Sequence, residues 1–359
     1  MQIGICAGML LNSDFTGIEH YINNLAEQLL KNKKHDIRLI MSSDIFLKHF
    51  PESSLFKHDT PFRKLSRFFS SFRNYSKGLS GFDVVHVPTV RAPFFFRPHG
   101  VKVVMTVHDL IPNLFPQWQP LKRRVYFKHV LKYRFRYVDR FIAVSKSTKD
   151  DLVRLFNIDK DKIGVVYEGV SERFKPPKNN NRGDYILGVS TLEPKKNFRK
   201  LIEAYILLKE KHSITEKLVI TGKKGWFFKE LIDIPTKYRD NIIFKGYVSN
   251  AKLVEMYQKA KIFVYPSMYE GFGLPVIEAM ACGCPVITSN VSSLPEVAGS
   301  AAYYVNPYRV EDIERGLNFL LNDKSLRNEF SQKGLRQSRK FSWQTCADET
   351  IKVFEAVCS

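Results

Sequence analysis

Cysteine is scarce in this chain: five among 359 residues, at Cys6, Cys282, Cys284, Cys346 and Cys358. So few, odd in number and widely spaced, they exclude a disulfide scaffold and fit a reducing, cytoplasmic location. Long apolar runs are missing as well. None approaches the about 20 residues that cross a bilayer. The opening MQIGICAGMLLNSD lacks the basic start and the apolar stretch of a secretion signal. Glycine and proline, at 19 and 17, are too sparse for a collagen-like or low-complexity chain. Acid is the scarcer charge, with 36 Asp/Glu against 56 Lys/Arg, which leaves a formal charge of +20.

What is present is enough apolar material, 44% of residues, to fold two domains of ordinary size. The positive excess is local. Residues 51–150 hold 19 basic and 6 acidic side chains, so most of the excess sits in this part of the first half. Two stretches carry it, 62–77 (Phe62-Arg63-Lys64 through Lys77) and 122–136 (Lys122-Arg123-Arg124 through Arg136). Basic residues interleaved with aromatics suit an anionic membrane surface or a lipid-linked acceptor bearing a diphosphate. The same charge would serve RNA, but no nucleic-acid module accompanies it, so no nucleic acid is expected.

Short apolar runs alternate with helical patterns throughout. Strands are expected at 2–6, 37–41, 84–87, 101–107, 141–144 and 163–167, with helices at 17–31 and about 119–138. The second half repeats the alternation. Its strands fall at 185–189, 218–221, 242–244, 262–265 and 285–288, and its helices at about 197–211, 227–232, 251–259, 275–282 and 310–321. This rhythm predicts parallel sheets covered on both faces. The polar stretch PPKNNNRGD at 176–184 is the expected linker between domains 1–175 and 185–341. Residues 342–359 form a final helix that can pack back on the first domain.

The most informative segment runs from Tyr265 to Pro285, YPSMYEGFGLPVIEAMACGCP. A strand enters a loop holding Glu270, Gly271 and Gly273, and Pro275 suits the first turn of a helix that carries Glu278. Free N–H groups at such a helix start attract anions. Two carboxylates there can bracket a polyhydroxylated, phosphorylated ligand. On the residues alone, they read equally well as ordinary surface or first-turn acids.

With its two glutamates separated by seven intervening residues, and with EGFGLP and EAMACG around them, this segment resembles the paired-glutamate motif of family 4 of the retaining glycosyltransferases. The resemblance covers 185 to about 343 and, more loosely, the first half. It implies the GT-B fold, two facing Rossmann-like α/β/α domains with a cleft between them. It gives Glu278 the donor's ribose hydroxyls and Glu270 the hydroxyls of the transferred sugar. Phe272, Gly273 and Leu274 offer backbone N–H groups to sugar or diphosphate.

Gly188 to Asn197 (GVSTLEPKKN) joins a strand to a helix. Two lysines at a helix start are unfavourable with its dipole unless an anion is present. The run resembles the family's diphosphate loop, with Ser190, Thr191, Lys195 and Lys196 as donor-binding residues and Lys196 its main cation. Where many members have an arginine, this chain has Thr191. Gly246-Tyr247-Val248-Ser249 resembles the segment that holds the nucleobase edge, near Tyr247. Gly222-Lys223-Lys224-Gly225-Trp226 lies at the same end, with Trp226 read as packing. Thr16-Gly17-Ile18-Glu19 resembles the N-terminal glycine loop, with Gly17 near the donor phosphates. His108, closing a strand before Asp109, matches the family's active-site histidine, and His86 is a weaker strand-end candidate.

The implied reaction moves a hexose from a nucleotide sugar to a glycan or polyprenyl-linked hydroxyl with retention. GDP-mannose is the first donor expected and a UDP-hexose the alternative. The catalytic set is His108, Glu270 and Lys196, with no protein nucleophile. No Cys/His cluster has metal-ligand spacing, so a metal-independent enzyme with no required cofactor is expected. The expected setting is surface-polysaccharide assembly at the inner face of a bacterial plasma membrane. A non-catalytic nucleotide- or RNA-binding protein is the reading from another class.

Overall fold

The computed structural model describes residues 1–7, 17–41, 55–57, 79, 81–90, 99–179, 182–225 and 234–359. Thr16, the 62–77 stretch, Trp226 and the helix expected at 227–232 lie outside them, as do the side chains of Lys122 and Arg123. The chain divides into two units. The first is Met1–Gly169 together with Trp343–Ser359, and the second is Val170–Ser342.

The first unit is built on seven strands: β1 (Gln2–Cys6), β2 (Asp36–Met41), β3 (Leu55–Lys57), β4 (Val84–Val87), β5 (Lys102–Val107), β6 (Arg140–Ala143) and β7 (Ile163–Val165). Their order is β3-β2-β1-β4-β5-β6-β7, and every pair is parallel. Parallel strands need crossovers, so helices cover both faces and the central strands read as unbroken apolar runs. β4 (VVHV) is buried at every position. Helix α1 (Gly17–Leu29) turns Tyr21, Ile22, Leu25 and Leu29 inward. Helix α2 (Lys146–Phe156) starts where Ser145 Oγ accepts the Thr148 amide at 3.0 Å. The helix Trp343–Cys358 also belongs here, burying Phe354 and packing Trp343 edge-on against Tyr21.

The single helix expected at 119–138 is irregular. A 3-10 turn at Pro116–Trp118 precedes an α turn at Leu121–Val125, a π turn at Tyr126–Val130 and a further α turn at Leu131–Phe135. Arg134 is fully buried inside this segment and, like Tyr126, donates to the Val90 carbonyl. A polar anchor at that depth is invisible to a count of apolar spacing.

The second unit has six parallel strands: β8 (Tyr185–Val189), β9 (Lys217–Thr221), β10 (Ile242–Gly246), β11 (Ile262–Tyr265), β12 (Val286–Ser289) and β13 (Ala302–Val305). Their order is β10-β9-β8-β11-β12-β13. The helices are α3 (Phe198–Lys211), α4 (Asn250–Lys259), α5 (Leu274–Ala281), α6 (Leu294–Ala298), α7 (Val310–Asn322) and α8 (Lys324–Ser338). One core joins the inner faces of α3 and α7, through Leu201, Tyr205, Leu208, Leu317 and Leu320, to Ile186, Ile220 and Val264 of the strands. Strands β3 and β13, at two sheet edges, are not announced by the apolar rhythm because edge strands need little of it.

Candidate active site

In the second sheet the chain winds outward in opposite directions from β8 and β11, which lie side by side. Where winding reverses, the loops at the carboxyl ends of the two strands part and leave a crevice, the usual ligand position in open α/β sheets. The loop after β8 carries Ser190 to Lys196, and the loop after β11 carries Glu270 to Gly273. Both motifs singled out in the sequence therefore flank one switch point.

Their charged groups meet there. Lys196 Nζ donates to Glu270 Oε1 at 2.6 Å and to Tyr265 Oη at 2.6 Å. The Tyr265 hydroxyl donates to the same Glu270 oxygen at 2.9 Å. The three groups form a closed triangle, with the Lys196 and Glu270 side chains only 12% and 8% exposed. Burial alone would raise the Glu270 carboxyl. The charges of Lys196 and Lys195 outweigh it and hold its pKa below the usual carboxylate value. Tyr265 moves the opposite way: burial, with the Glu270 charge beside it, pushes its hydroxyl well up, so it stays a protonated donor.

Neighbouring loops fix this triangle. Asn197, in left-handed backbone at φ 60°, donates from Nδ2 to Pro266 O at 3.0 Å and Pro307 O at 2.7 Å. The Met268 amide donates to Lys195 O at 2.8 Å, tying the two loops together. Glu270 is held by its backbone: its amide donates to Ser292 Oγ, and Ser293 Oγ donates to its carbonyl, both at 3.0 Å. Gly222, at φ 147°, runs so close to the loop after β8 that an added Cβ would lie 1.8 Å from Ser190 O. Only glycine fits there. Ser190 also donates its amide to Thr221 O at 3.0 Å, and Thr191 O accepts the Glu193 amide at 2.9 Å.

Gly273 starts α5 at φ 112°, with Phe272 buried before it and Leu274 at the first helical position. Phe272 is pinned by Ser293 Oγ on its carbonyl at 2.8 Å and by an edge-on contact with Phe341. Glu278, one turn into α5 and half-buried, accepts from the Tyr257 hydroxyl at 3.1 Å. Tyr247 is exposed after edge strand β10, with Lys223 Nζ 4.9 Å from its ring centre.

In the first unit, His108 follows β5. Its Nδ1 lies 2.9 Å from Glu168 Oε1 and its Nε2 lies 2.9 Å from Pro88 O. Tyr21 meets the ring edge-on at 4.5 Å. Asp109 Oδ1 accepts the Ile111 amide at 3.2 Å, which fixes the loop. His86 is buried, with Nε2 2.8 Å from Thr106 Oγ1. Burial and the neighbouring His108 bring its pKa down to about 3. Gly17 opens α1, and none of the described residues lies within 4 Å of where a Cβ would go.

Among the described residues no group of three or more His, Cys, Asp or Glu is arranged to hold a metal ion. The one Asp-x-Asp triplet, Asp159-Lys160-Asp161, is used in a turn in which Asp159 Oδ1 accepts the Asp161 amide at 3.0 Å. Sequence reasoning misses Tyr265, Asn197, Ser292, Ser293, Tyr257 and Glu168. Tyr265 reads as one more aromatic of a buried strand. The φ of 60° at Asn197 has a faint signal, asparagine just ahead of a helix, and Glu168 has none.

Comparison with known proteins bears on the family and the fold. Residues 170–337 match the family described as Glycosyl transferases group 1, and residues 15–174 match Glycosyltransferase Family 4. The chain is 34% identical over 279 residues to O-antigen chain mannosyltransferase B of Escherichia coli, covering 73% of each. It is 30% identical over 300 residues to the serotype-specific mannosyltransferase WbdA of the same species, covering 78% of this chain and 36% of that one. The sucrose-phosphate synthase structure from Thermosynechococcus elongatus superposes with a TM-score of 0.75 at 17% identity, over 99% of this chain and 98% of that chain. Two Rossmann-like units, these family matches and these relatives together make the chain a member of the GT-B-fold glycosyltransferases, enzymes that act on nucleotide-sugar donors.

Proposed function

We propose that this enzyme transfers mannose from GDP-mannose, with retention, to a hydroxyl of a glycan or lipid-linked glycan in surface-polysaccharide assembly. The observation that carries the reading is the buried Lys196–Tyr265–Glu270 triangle at the switch point. It sets a cation and a hydroxyl-accepting carboxylate side by side, the pairing needed where a sugar joins a diphosphate. The mannose assignment draws on the two mannosyltransferase relatives.

In this reading Lys196 and Lys195 take the donor diphosphate and stabilise the charge that grows as the sugar leaves. Drawing Lys196 toward phosphate frees Glu270 Oε1 for a sugar hydroxyl. Glu278 takes the ribose hydroxyls, and Ser190, Thr191 and the backbone at Phe272, Gly273 and Leu274 line the phosphate and sugar. Tyr247 lies beside the base, Gly17 serves the donor phosphates, and His108 is the first unit's group for the transferred sugar. The departing diphosphate accepts the acceptor's proton, so no side chain is assigned as nucleophile. No residue is assigned to a metal.

Membrane attachment is part of the same proposal. No helix among the described residues is long and apolar enough to cross a membrane. The irregular helix at 121–135 instead presents two adjacent exposed stripes. Leu121, Val125 and Tyr133 are 72%, 53% and 46% exposed, and Arg124, Lys128, Lys132 and Arg136 run beside them at four-residue spacing. No acid interrupts the sequence from Leu110 to Val138. Apolar and basic stripes side by side suit an anionic lipid surface, here the cytoplasmic face of the plasma membrane.

The deciding experiment is a calorimetric screen of GDP-, UDP-, ADP- and dTDP-sugars, followed by turnover of the tightest binder. GDP-mannose should bind best, and wild-type turnover should be lost in Glu270→Ala. Preference for a UDP-hexose would overturn the donor, and turnover unchanged in Glu270→Ala would overturn the site. Co-sedimentation with anionic but not neutral vesicles checks the membrane face.

A further inference from the structure

The hydrogen bonds around His108 determine how its ring can act. Nε2 faces the Pro88 carbonyl at 2.9 Å, and a carbonyl only accepts, so Nε2 carries a proton. Nδ1 faces Glu168 Oε1 at 2.9 Å. A carboxylate oxygen, like the carbonyl, only accepts, so this bond calls for a second ring N–H. The two side chains are 12% and 6% exposed, which leaves little water to replace either partner.

We propose that Glu168 is the positioning residue of His108, holding the ring as a doubly protonated imidazolium that meets the transferred sugar as a hydrogen-bond donor and not as a base. The inference rests on the placement of His108 at the sugar given above. A sugar oxygen takes the place of the Pro88 carbonyl at Nε2–H, and no proton is transferred.

The surroundings fit a single cation here. Tyr21 of α1 faces the ring, and burial pushes its hydroxyl well up, so it stays neutral. His86 of β4 is neutral, with its Nδ1 buried and unpartnered. Cys346, from the helix Trp343–Cys358, has its thiol pushed up by burial and by the Glu168 charge. Glu168 and the adjacent Asp109 are the acids at hand. The Glu168 carboxylate is aimed at the ring, and it cancels a charge that burial would otherwise make costly.

The test is heteronuclear NMR of the ring nitrogens in histidine-labelled full-length protein at neutral pH, paired with steady-state kinetics. One histidine, assigned by its loss in His108→Gln, should show both nitrogens protonated. In Glu168→Gln the same ring should show a single N–H. That variant should lower kcat about 10- to 100-fold, the scale of one charge-assisted hydrogen bond, with donor KM nearly unchanged. Glu168→Asp should restore part of kcat and the second N–H. A singly protonated His108 in the wild type, or ring signals unmoved by Glu168→Gln, would overturn the proposal. The expected NMR pattern with wild-type turnover in both His108→Gln and Glu168→Gln would leave the pair intact and overturn the placement of His108 at the sugar.

Discussion

Lys196 and Glu270, 74 residues apart in the chain, close a buried ion pair of 2.6 Å at the switch point of the second sheet. Breaking one side of such a pair strands a charge in a dry site. Lys196→Met should therefore lower the stability of the second unit by about 3–5 kcal/mol. Lys196→Met/Glu270→Gln should recover most of that loss. Thermal unfolding of wild type, both single variants and the double variant checks it, and simple addition of the single effects would refute the pairing.

In the proposed reading the same pair competes with the donor. Glu270→Gln leaves Lys196 without its counter-charge, so a nucleoside diphosphate should bind more tightly than to wild type while sugar transfer falls. Calorimetry with the diphosphate alone separates the two effects. Weaker diphosphate binding would show that Lys196 does not serve the phosphate.

Tyr265→Phe removes one hydroxyl and keeps the ring, which stacks on Phe263 at 5.9 Å. The stability cost should be about 1 kcal/mol. Transfer should suffer more, with kcat/KM falling about tenfold as Lys196 and Glu270 lose their shared partner. Wild-type kinetics in this variant would mean that the triangle's third corner does nothing in the reaction.

Stability should report the carboxylate's titration. Because Glu270 is held below its ordinary pKa when folded, its stabilising effect is complete at neutral pH. It is lost as pH falls below the ordinary value of about 4.3 and through the lowered one. The melting-temperature gap between wild type and Glu270→Gln should be widest near pH 7 and shrink in acid. A gap constant over that range would contradict the assignment.

Gly222→Ala tests the loop packing. With a Cβ 1.8 Å from Ser190 O and a φ of 147°, the 190–196 loop must shift. Donor affinity should drop sharply. Gly17→Ala meets open space in the described structure and should be much milder.

The alternation of short apolar runs with helical patterns makes both parallel sheets readable, because a strand buried on both faces has few other sequences open to it. Glu270 and Glu278 are readable for a different reason: the glycines and Pro275 between them mark a loop and a helix start in one short stretch. Tyr265, Asn197 and Glu168 are not. Their importance comes from partners 60 or more residues away, Tyr265 with Lys196, Asn197 with Pro266 and Pro307, and Glu168 with His108. No local spacing encodes those meetings. Strand β13 (AYYV) escapes notice because two of its four residues are only half-buried.

The helix Trp343–Cys358 completes the unit that residues 1–169 begin. It brings Phe354 to 5.3 Å from the His86 ring, and Glu355 to a 2.6 Å bond with Lys34. Chains are made from the amino end and domains fold as units during synthesis. The core of the first unit therefore cannot close until the whole second unit, Val170–Ser342, has been made. A chain cut at Gly169 would leave Phe354's place against His86 open to water, so isolating the first unit calls for a circular permutation that joins the final helix to the amino-terminal segment.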